Sequence, residues 1–230
     1  MFNILKNIKY KLASLLLIIK MQGVVTAQVS SGNFETEINY YRQADSTEQI
    51  PPHPVLFIGS SSIKNWIGLD SLFTGYNVIN RGFGGSTIDD LIFYADDVIF
   101  NHDPRQIVIY CGENDFAKDS VAAPTVFLRF FDLYTVIRNK YPDVPIVYIS
   151  LKPSPAKLKM LSKLTEYNKL VMDFISHQNN IVFADVYSRM LFSNGQPNSA
   201  LFYDDMLHMN EKGYAVWNEV VRPLLVKGGE

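Results

Sequence analysis

The sequence predicts an α/β fold in which a five-stranded parallel sheet lies between two layers of helices, a three-layer α/β/α sandwich. Short runs rich in valine, isoleucine and tyrosine alternate with longer segments whose apolar residues recur at helical spacing. This alternation is typical of right-handed βαβ units, whose sheet is covered by helices on both faces. The 230 residues, 47% of them hydrophobic, suffice for one such domain.

Five apolar runs bounded by turn residues are the predicted strands. In chain order they cover 55–58, 76–80, 106–111, 146–151 and 181–186. The first run, Val55-Leu56-Phe57-Ile58, contains no polar residue, which predicts a strand buried on both faces. Because parallel strands end at the same edge of a sheet, the segments that follow them are expected to meet there.

The helices are predicted from apolar residues spaced three or four positions apart. A first amphipathic helix is expected over 34–43, where Phe34 begins the pattern. Apolar faces at 127–137, 158–174 and 214–225 predict three later helices. Before the last of these, Asn210 is the predicted N-cap.

The first 27 residues have the pattern of a secretory signal peptide. Three lysines precede the apolar run 12–19, which Lys20 interrupts, and the small residues 25–27 offer a cleavage site. The expected organisation is a signal peptide over 1–27 and one domain over 28–230, exported to the periplasm or the exterior. An uncleaved anchor is the alternative, but the run is shorter than the ~20 residues that span a bilayer.

Composition excludes several classes of protein. The net charge is −2, and no cluster of lysines and arginines follows the N-terminus, which argues against nucleic-acid binding. Cys111 is the single cysteine, so an internal disulfide and a cysteine-based zinc site are excluded. His102 and His177 are interpreted as surface or capping residues, and no group of side chains is predicted to bind a metal.

Four stretches rich in glycine and polar residues lie at or near the predicted strand ends. They are 59–62, 80–87, 112–115 and 205–208. Taken alone, the Gly-Ser-Ser-Ser sequence at 59–62 is better explained as a simple turn with a helix cap, because serine-rich turns are common. The four stretches together contain the side chains that acyl transfer requires.

Acyl transfer needs a hydroxyl nucleophile, a base, a group that orients the base, and donors for the oxyanion. Ser61 is the predicted nucleophile and His208 the predicted base. Asp205 lies three residues before His208, so one turn of chain places its carboxylate against the imidazole. The predicted oxyanion donors are the backbone N–H groups of Ser61 and Gly85 and the side-chain amide of Asn114.

The stretch 112–115 after a strand, followed by Asp-x-x-His at 205–208, resembles the SGNH (GDSL) family of serine esterases and acylhydrolases. The resemblance covers nearly all of the predicted mature chain and implies a flavodoxin-like SGNH hydrolase fold. It implies roles for Ser61, Gly85, Asn114, Asp205 and His208.

The first motif departs from the usual pattern of the family. It normally reads Gly-Asp-Ser, and here Ser60 stands in the place of the aspartate. A branch that resembles this chain, with Gly-Ser-Ser-Ser and a nearby tryptophan, supports Ser61 as the nucleophile. Ser60 is the alternative nucleophile, and Gly84 is the alternative to Gly85 as oxyanion donor.

The substrate is predicted from the residues expected to line the site, which are Trp66, Phe83, Phe116, Tyr203 and Met206. Aromatic faces stack on sugar rings, and export points to a target outside the cytoplasm. Removal of an O-acetyl group from a carbohydrate is therefore the leading hypothesis.

A lysophospholipase, or an esterase for short-chain lipid or aryl esters, is the enzymatic alternative. A non-catalytic carbohydrate-binding module is the alternative of another class. No cofactor is implied, because the named side chains complete the reaction.

Overall fold

A computed structural model describes residues 34–48 and 50–228 of the chain. Five parallel strands form one sheet in the order β2-β1-β3-β4-β5. Their bounds are β1 Val55–Gly59, β2 Val78–Gly82, β3 Gln106–Tyr110, β4 Ile146–Ile149 and β5 Ile181–Ala184. The predicted parallel α/β fold is confirmed.

Seven α-helices connect and flank the strands in the described part of the chain. They are α1 Glu35–Thr47, α2 Ser61–Lys64, α3 Leu69–Leu72, α4 Ile88–Phe93, α5 Ala123–Lys140, α6 Leu161–Ile175 and α7 Glu211–Val221. A π-helical turn, Asp96–Phe100, follows α4, and a 3-10 turn, Pro155–Met160, precedes α6. Asn210 caps α7 as predicted, because its side chain accepts hydrogen bonds from the first turn.

Helices cover both faces of the sheet. Every residue of β1, β3 and β4 is buried. Tyr110 packs against Trp217 of α7 with ring centroids 4.8 Å apart, and Tyr148 packs against Phe130 of α5 at 4.7 Å. The register pairs Tyr148 with Ile109, so Tyr110 and Tyr148 point to opposite faces. The sheet therefore lies between two helical layers.

The elements differ from the predictions mainly at their ends. β2 begins two residues later than expected, because Asn77 adopts a left-handed conformation with φ of 48° and prolongs the preceding turn. The first helix continues to Thr47, beyond the predicted end at residue 43, because Ala44 still faces the core. Leu158 is half exposed in the 3-10 turn and does not belong to the following helix.

The predicted signal peptide, 1–27, lies outside the described residues. Within the described ranges, 34–48 and 50–228, no helix is both long enough and apolar enough to cross a membrane.

A buried polar cluster joins α1 to β2. Asp45 of α1 forms an ion pair with Arg81 of β2, and the Nε2 atom of His102 lies 3.6 Å from the Asp45 carboxylate. His102 is only 5% exposed, so its interpretation as a surface residue was wrong. Burial lowers the pKa of His102 below its ordinary value of 6.5, and Asp45 offsets this only in part.

We expect the stability of the protein to decrease as the pH falls through about 6.5, because the unfolded chain then binds a proton at His102 that the folded protein resists. Urea unfolding followed from about pH 7.5 to about pH 5.5 measures this slope. His102→Asn should flatten it, whereas the exposed-site control His177→Gln should retain it. Equal slopes in wild type and His102→Asn would contradict the prediction.

Candidate active site

The turn after β1 exposes one serine of three. Gly59 has φ of +143°, and a Cβ atom there would lie 1.9 Å from the carbonyl oxygen of Tyr110, so only glycine fits. The backbone N–H of Ser60 donates to the same carbonyl at 3.1 Å. Ser60 and Ser62 are each 3% exposed, whereas Ser61, the first residue of α2, is partly exposed. This difference favours Ser61 over Ser60 as the nucleophile.

Asp205 and His208 form a hydrogen-bonded pair within one turn of chain. The Oδ2 atom of Asp205 lies 2.6 Å from Nδ1 of His208. The other oxygen, Oδ1, accepts the backbone N–H groups of Leu207 and His208, each at 2.9 Å. These backbone bonds and the imidazole contact lower the pKa of Asp205 to about 2. The carboxylate therefore stays ionised and orients the ring with Nε2 available for proton transfer.

One hydrogen bond holds this turn to the segment after β4, and another holds the serine helix α2 to α7. The N–H of Ala156, in the 3-10 turn after β4, donates to the Met206 carbonyl at 2.9 Å. On the serine side, the Tyr214 hydroxyl of α7 donates to the Ser62 carbonyl at 3.0 Å. α7 begins three residues after His208, so the bond from Tyr214 also keeps the histidine turn close to the serine helix α2.

The Ser61 hydroxyl forms no hydrogen bond to any of the described residues, so the direct contact with His208 is not made in this structure. Catalytic hydrogen bonds are often long before substrate binds and shorten in the reacting complex. The roles of Ser61, His208 and Asp205 therefore stay predictions that rest on their placement at one edge.

The glycine-rich loop, residues 83–87 after β2, and the loop after β3 that contains Asn114 meet beside α2, the helix that begins at Ser61. The Asn114 side-chain amide donates to the Ser86 carbonyl at 3.0 Å, next to Gly85. The N–H of Gly84 donates to Oε1 of Glu37 at 3.2 Å and is therefore engaged. The N–H of Gly85 has no acceptor among the described residues, and a Cβ atom at this position would meet nothing within 4 Å. This arrangement favours Gly85 over Gly84 as an oxyanion donor.

A buried ion pair next to Asn114 was missed by the sequence reasoning. Lys152, after β4, and Glu113, after β3, are 2% and 4% exposed, and their charged atoms lie 2.6 Å apart. The Tyr110 hydroxyl also donates to Glu113 at 2.6 Å, and the ammonium group of Lys157 lies 3.4 Å from the second carboxylate oxygen. Burial raises the pKa of Glu113, but the two lysines outweigh burial, so its pKa is below its usual range.

Three of the five expected lining residues belong to the core. Trp66, Phe83 and Phe116 are 1%, 0% and 2% exposed, so the expectation that they line the substrate site is corrected. Trp66 packs on Trp217 and on the ring of Tyr214, and Phe83 packs on Phe34. Tyr203 and Met206 are 57% and 38% exposed beside His208, and their contact with substrate stays a prediction.

The sequence model of the GDSL-like lipase/acylhydrolase family matches residues 62–216, which is more than half of the chain. The chain belongs to this family. The resemblance predicted from the motifs is thereby confirmed, and as a GDSL-like acylhydrolase the protein is a hydrolase of ester bonds. No curated protein is significantly similar to the chain in sequence.

Solved structures share the fold of this GDSL-like acylhydrolase. A Streptococcus pneumonia structure, provisionally named platelet activating factor, has a TM-score of 0.73 at 20% identity, covering 93% of this chain and 99% of that one. A GDSL-like lipase from Bacteroides thetaiotaomicron has a TM-score of 0.67 at 18% identity, covering 81% and 96%. An acetylxylan esterase from Geobacillus stearothermophilus has a TM-score of 0.58 at 15% identity, covering 76% and 95%.

We expect Lys152→Met to lower the free energy of unfolding by about 3–5 kcal/mol, because it leaves the Glu113 charge buried without its closest partner. Urea denaturation at neutral pH measures the loss. The double variant Lys152→Met with Glu113→Gln should recover much of the stability, since no unpaired buried carboxylate remains. The exposed Lys140→Met is the matched control, and a loss no larger than in this control would contradict the prediction.

Proposed function

We propose that the chain hydrolyses esters through an acyl-enzyme formed on Ser61, with His208 as the base and Asp205 as the residue that orients it. The observation that carries the proposal is the 2.6 Å Asp205–His208 hydrogen bond, at the sheet edge where Ser61 begins α2. A base held in one tautomer by a carboxylate, near an accessible serine hydroxyl, is the arrangement that acyl transfer requires.

In the first half of the reaction, the Ser61 Oγ atom attacks the acyl carbon while Nε2 of His208 takes the hydroxyl proton. The tetrahedral intermediate collapses, the bond to the leaving oxygen breaks, and the alcohol departs with the proton from His208. In the second half, His208 removes a proton from water, and the resulting hydroxide attacks the acyl-enzyme. Collapse returns the proton to Ser61 and releases the carboxylic acid. Asp205 stabilises the imidazolium that forms in each half.

Three donors are available for the oxyanion of both tetrahedral intermediates. They are the backbone N–H groups of Ser61 and Gly85 and the side-chain amide of Asn114. One hydrogen of that amide is used by the Ser86 carbonyl, which fixes its plane and leaves the other hydrogen free. Losing one preorganised donor of this kind typically slows the reaction by about 10²–10³-fold.

The proposed substrate is a short acyl ester, with an O-acetyl group on a carbohydrate as the leading candidate. The exposed ring of Tyr203 supports this, because its backbone N–H donates to the His208 carbonyl at 2.9 Å and holds an aromatic face close to the base. The fold is also shared with an acetylxylan esterase and with a carbohydrate esterase from Talaromyces cellulolyticus. Export, proposed from the pattern at 1–27, fits a polymeric substrate outside the cytoplasm.

We expect a fluorophosphonate probe to label the protein at Ser61, and Ser61→Ala to remove both labelling and turnover of an acetyl aryl ester. The loss in kcat should be about 10⁴-fold or more, because the nucleophile and base act as one unit. His208→Ala should cause a similar loss with the fold intact by circular dichroism. Ser60→Ala is the matched control and should still be labelled. Turnover retained in both Ser61→Ala and His208→Ala would overturn the assignment.

We expect kcat/KM to decrease from acetyl to butyryl to decanoyl esters of the same alcohol. We also expect acetate release from acetylated xylan or a related acetylated glycan, with Ser61→Ala as the blank. A decanoyl optimum would replace the carbohydrate hypothesis with a lysophospholipid or other lipid ester. Glycan binding without hydrolysis of any activated ester would indicate a binding module.

A further inference from the structure

Helix α1 and Phe34, the residue before it, contact the chain just before Gly85 at four successive points. They lie along residues 81–84, the end of β2 and the start of the glycine-rich loop. Asp45 forms an ion pair with Arg81, and the Tyr41 hydroxyl donates a hydrogen bond to the Gly82 carbonyl. The ring of Phe34 packs on Phe83 with centroids 5.0 Å apart. The N–H of Gly84 donates to Glu37 at 3.2 Å.

Glu37 also contacts the helix that carries Ser61. The Lys64 ammonium group, in the last turn of α2, donates to the same Oε1 atom that accepts the Gly84 N–H. One carboxylate oxygen of Glu37 therefore joins the serine helix α2 to the glycine-rich loop. These two segments carry the two backbone amides, of Ser61 and Gly85, that are proposed to bind the oxyanion.

We propose that Glu37 is a positioning residue for the oxyanion site and that Lys64 is the counter-ion that neutralises its charge there. The proposal rests on the proposed acyl-enzyme function and extends it to α1. By accepting the N–H of Gly84, Glu37 fixes the Phe83–Gly84 peptide, which is next to the peptide that carries the Gly85 N–H, so the Gly85 amide can face the reacting oxygen. Oxyanion stabilisation depends on donors that are already aligned before the charge develops.

The charge of Glu37 gives the proposal a distinctive signature. A carboxylate close to a developing oxyanion opposes the reaction, and an ammonium group on the same oxygen cancels much of that effect. The side chains of Glu37 and Lys64 are 28% and 46% exposed, so solvent screens both charges and the expected effects are moderate. Removing Lys64 alone should therefore impair the chemical step more than removing both charges.

The test is a set of variants assayed on an acetyl aryl ester, with kcat, KM and urea stability measured for each. Glu37→Ala removes the acceptor of the Gly84 N–H, and we expect kcat to fall about tenfold or more with KM little changed. Glu37→Gln keeps an acceptor oxygen and should retain most of the turnover. Lys64→Met should lower kcat by about fivefold, and adding Glu37→Gln to it should restore kcat.

Asp97→Asn provides the matched control, because it removes a different ion pair of α1. Asp97, in the π-helical turn, accepts bonds of 2.7 and 2.8 Å from the guanidinium of Arg42 of α1, and these bonds involve neither Glu37 nor the glycine-rich loop. This variant should lower stability at most and leave kcat unchanged. A Glu37→Ala enzyme with the kcat of Asp97→Asn would overturn the positioning role, and so would a Lys64→Met defect that Glu37→Gln does not relieve. Turnover that survives Ser61→Ala would instead overturn the proposed function itself.

Discussion

The site depends on how closely the backbone at the carboxyl end of β1 approaches β3 and the segment after β2. Past the last residue of β1, the Ser60 N–H still donates to β3 at Tyr110, and the Phe83 N–H donates to the Gly59 carbonyl. The sheet pairing therefore continues into the turn with Ser61 and into the loop with Gly85. Only a glycine at position 59 permits this, because any Cβ atom would collide with the Tyr110 carbonyl. Gly82 has the same role against the backbone of Lys64, where a Cβ atom would lie 2.6 Å away.

Charged groups hold the loops that the backbone pairing does not reach. After β3 and β4, two loops are joined by the buried Glu113–Lys152 pair, and the second of these loops holds the histidine turn through Ala156. On the other side of β1, α1 holds the glycine-rich loop through Glu37. The Asp205–His208 pair differs from both, because it is partly exposed and local in sequence. In the proposed mechanism His208 exchanges protons with substrate and water, and complete burial would prevent this exchange.

The parts of the site that the sequence predicts are those with a local signal. Apolar runs locate the strands, and a three-residue spacing is sufficient to predict the contact between Asp205 and His208, because one turn of chain closes it. The Glu113–Lys152 pair carries no such signal, since its partners are 39 residues apart and meet only through the sheet order. Trp66 shows the opposite error: an aromatic residue beside a reactive motif suits a substrate site and a core equally well, and only its burial distinguishes them.

The family match does not by itself identify the nucleophile. It begins at residue 62, so Ser61 and the whole of α1 lie outside the matched range. Within the Gly-Ser-Ser-Ser turn, burial favours Ser61, because Ser60 and Ser62 are each 3% exposed whereas Ser61 is partly exposed. The matched range contains β2 to β5, the loop with Asn114 and the turn with His208, but not the central strand β1. The partial exposure of Ser61 and the contacts of α1 with the glycine-rich loop depend on how the residues before position 62 pack onto the matched part of the chain.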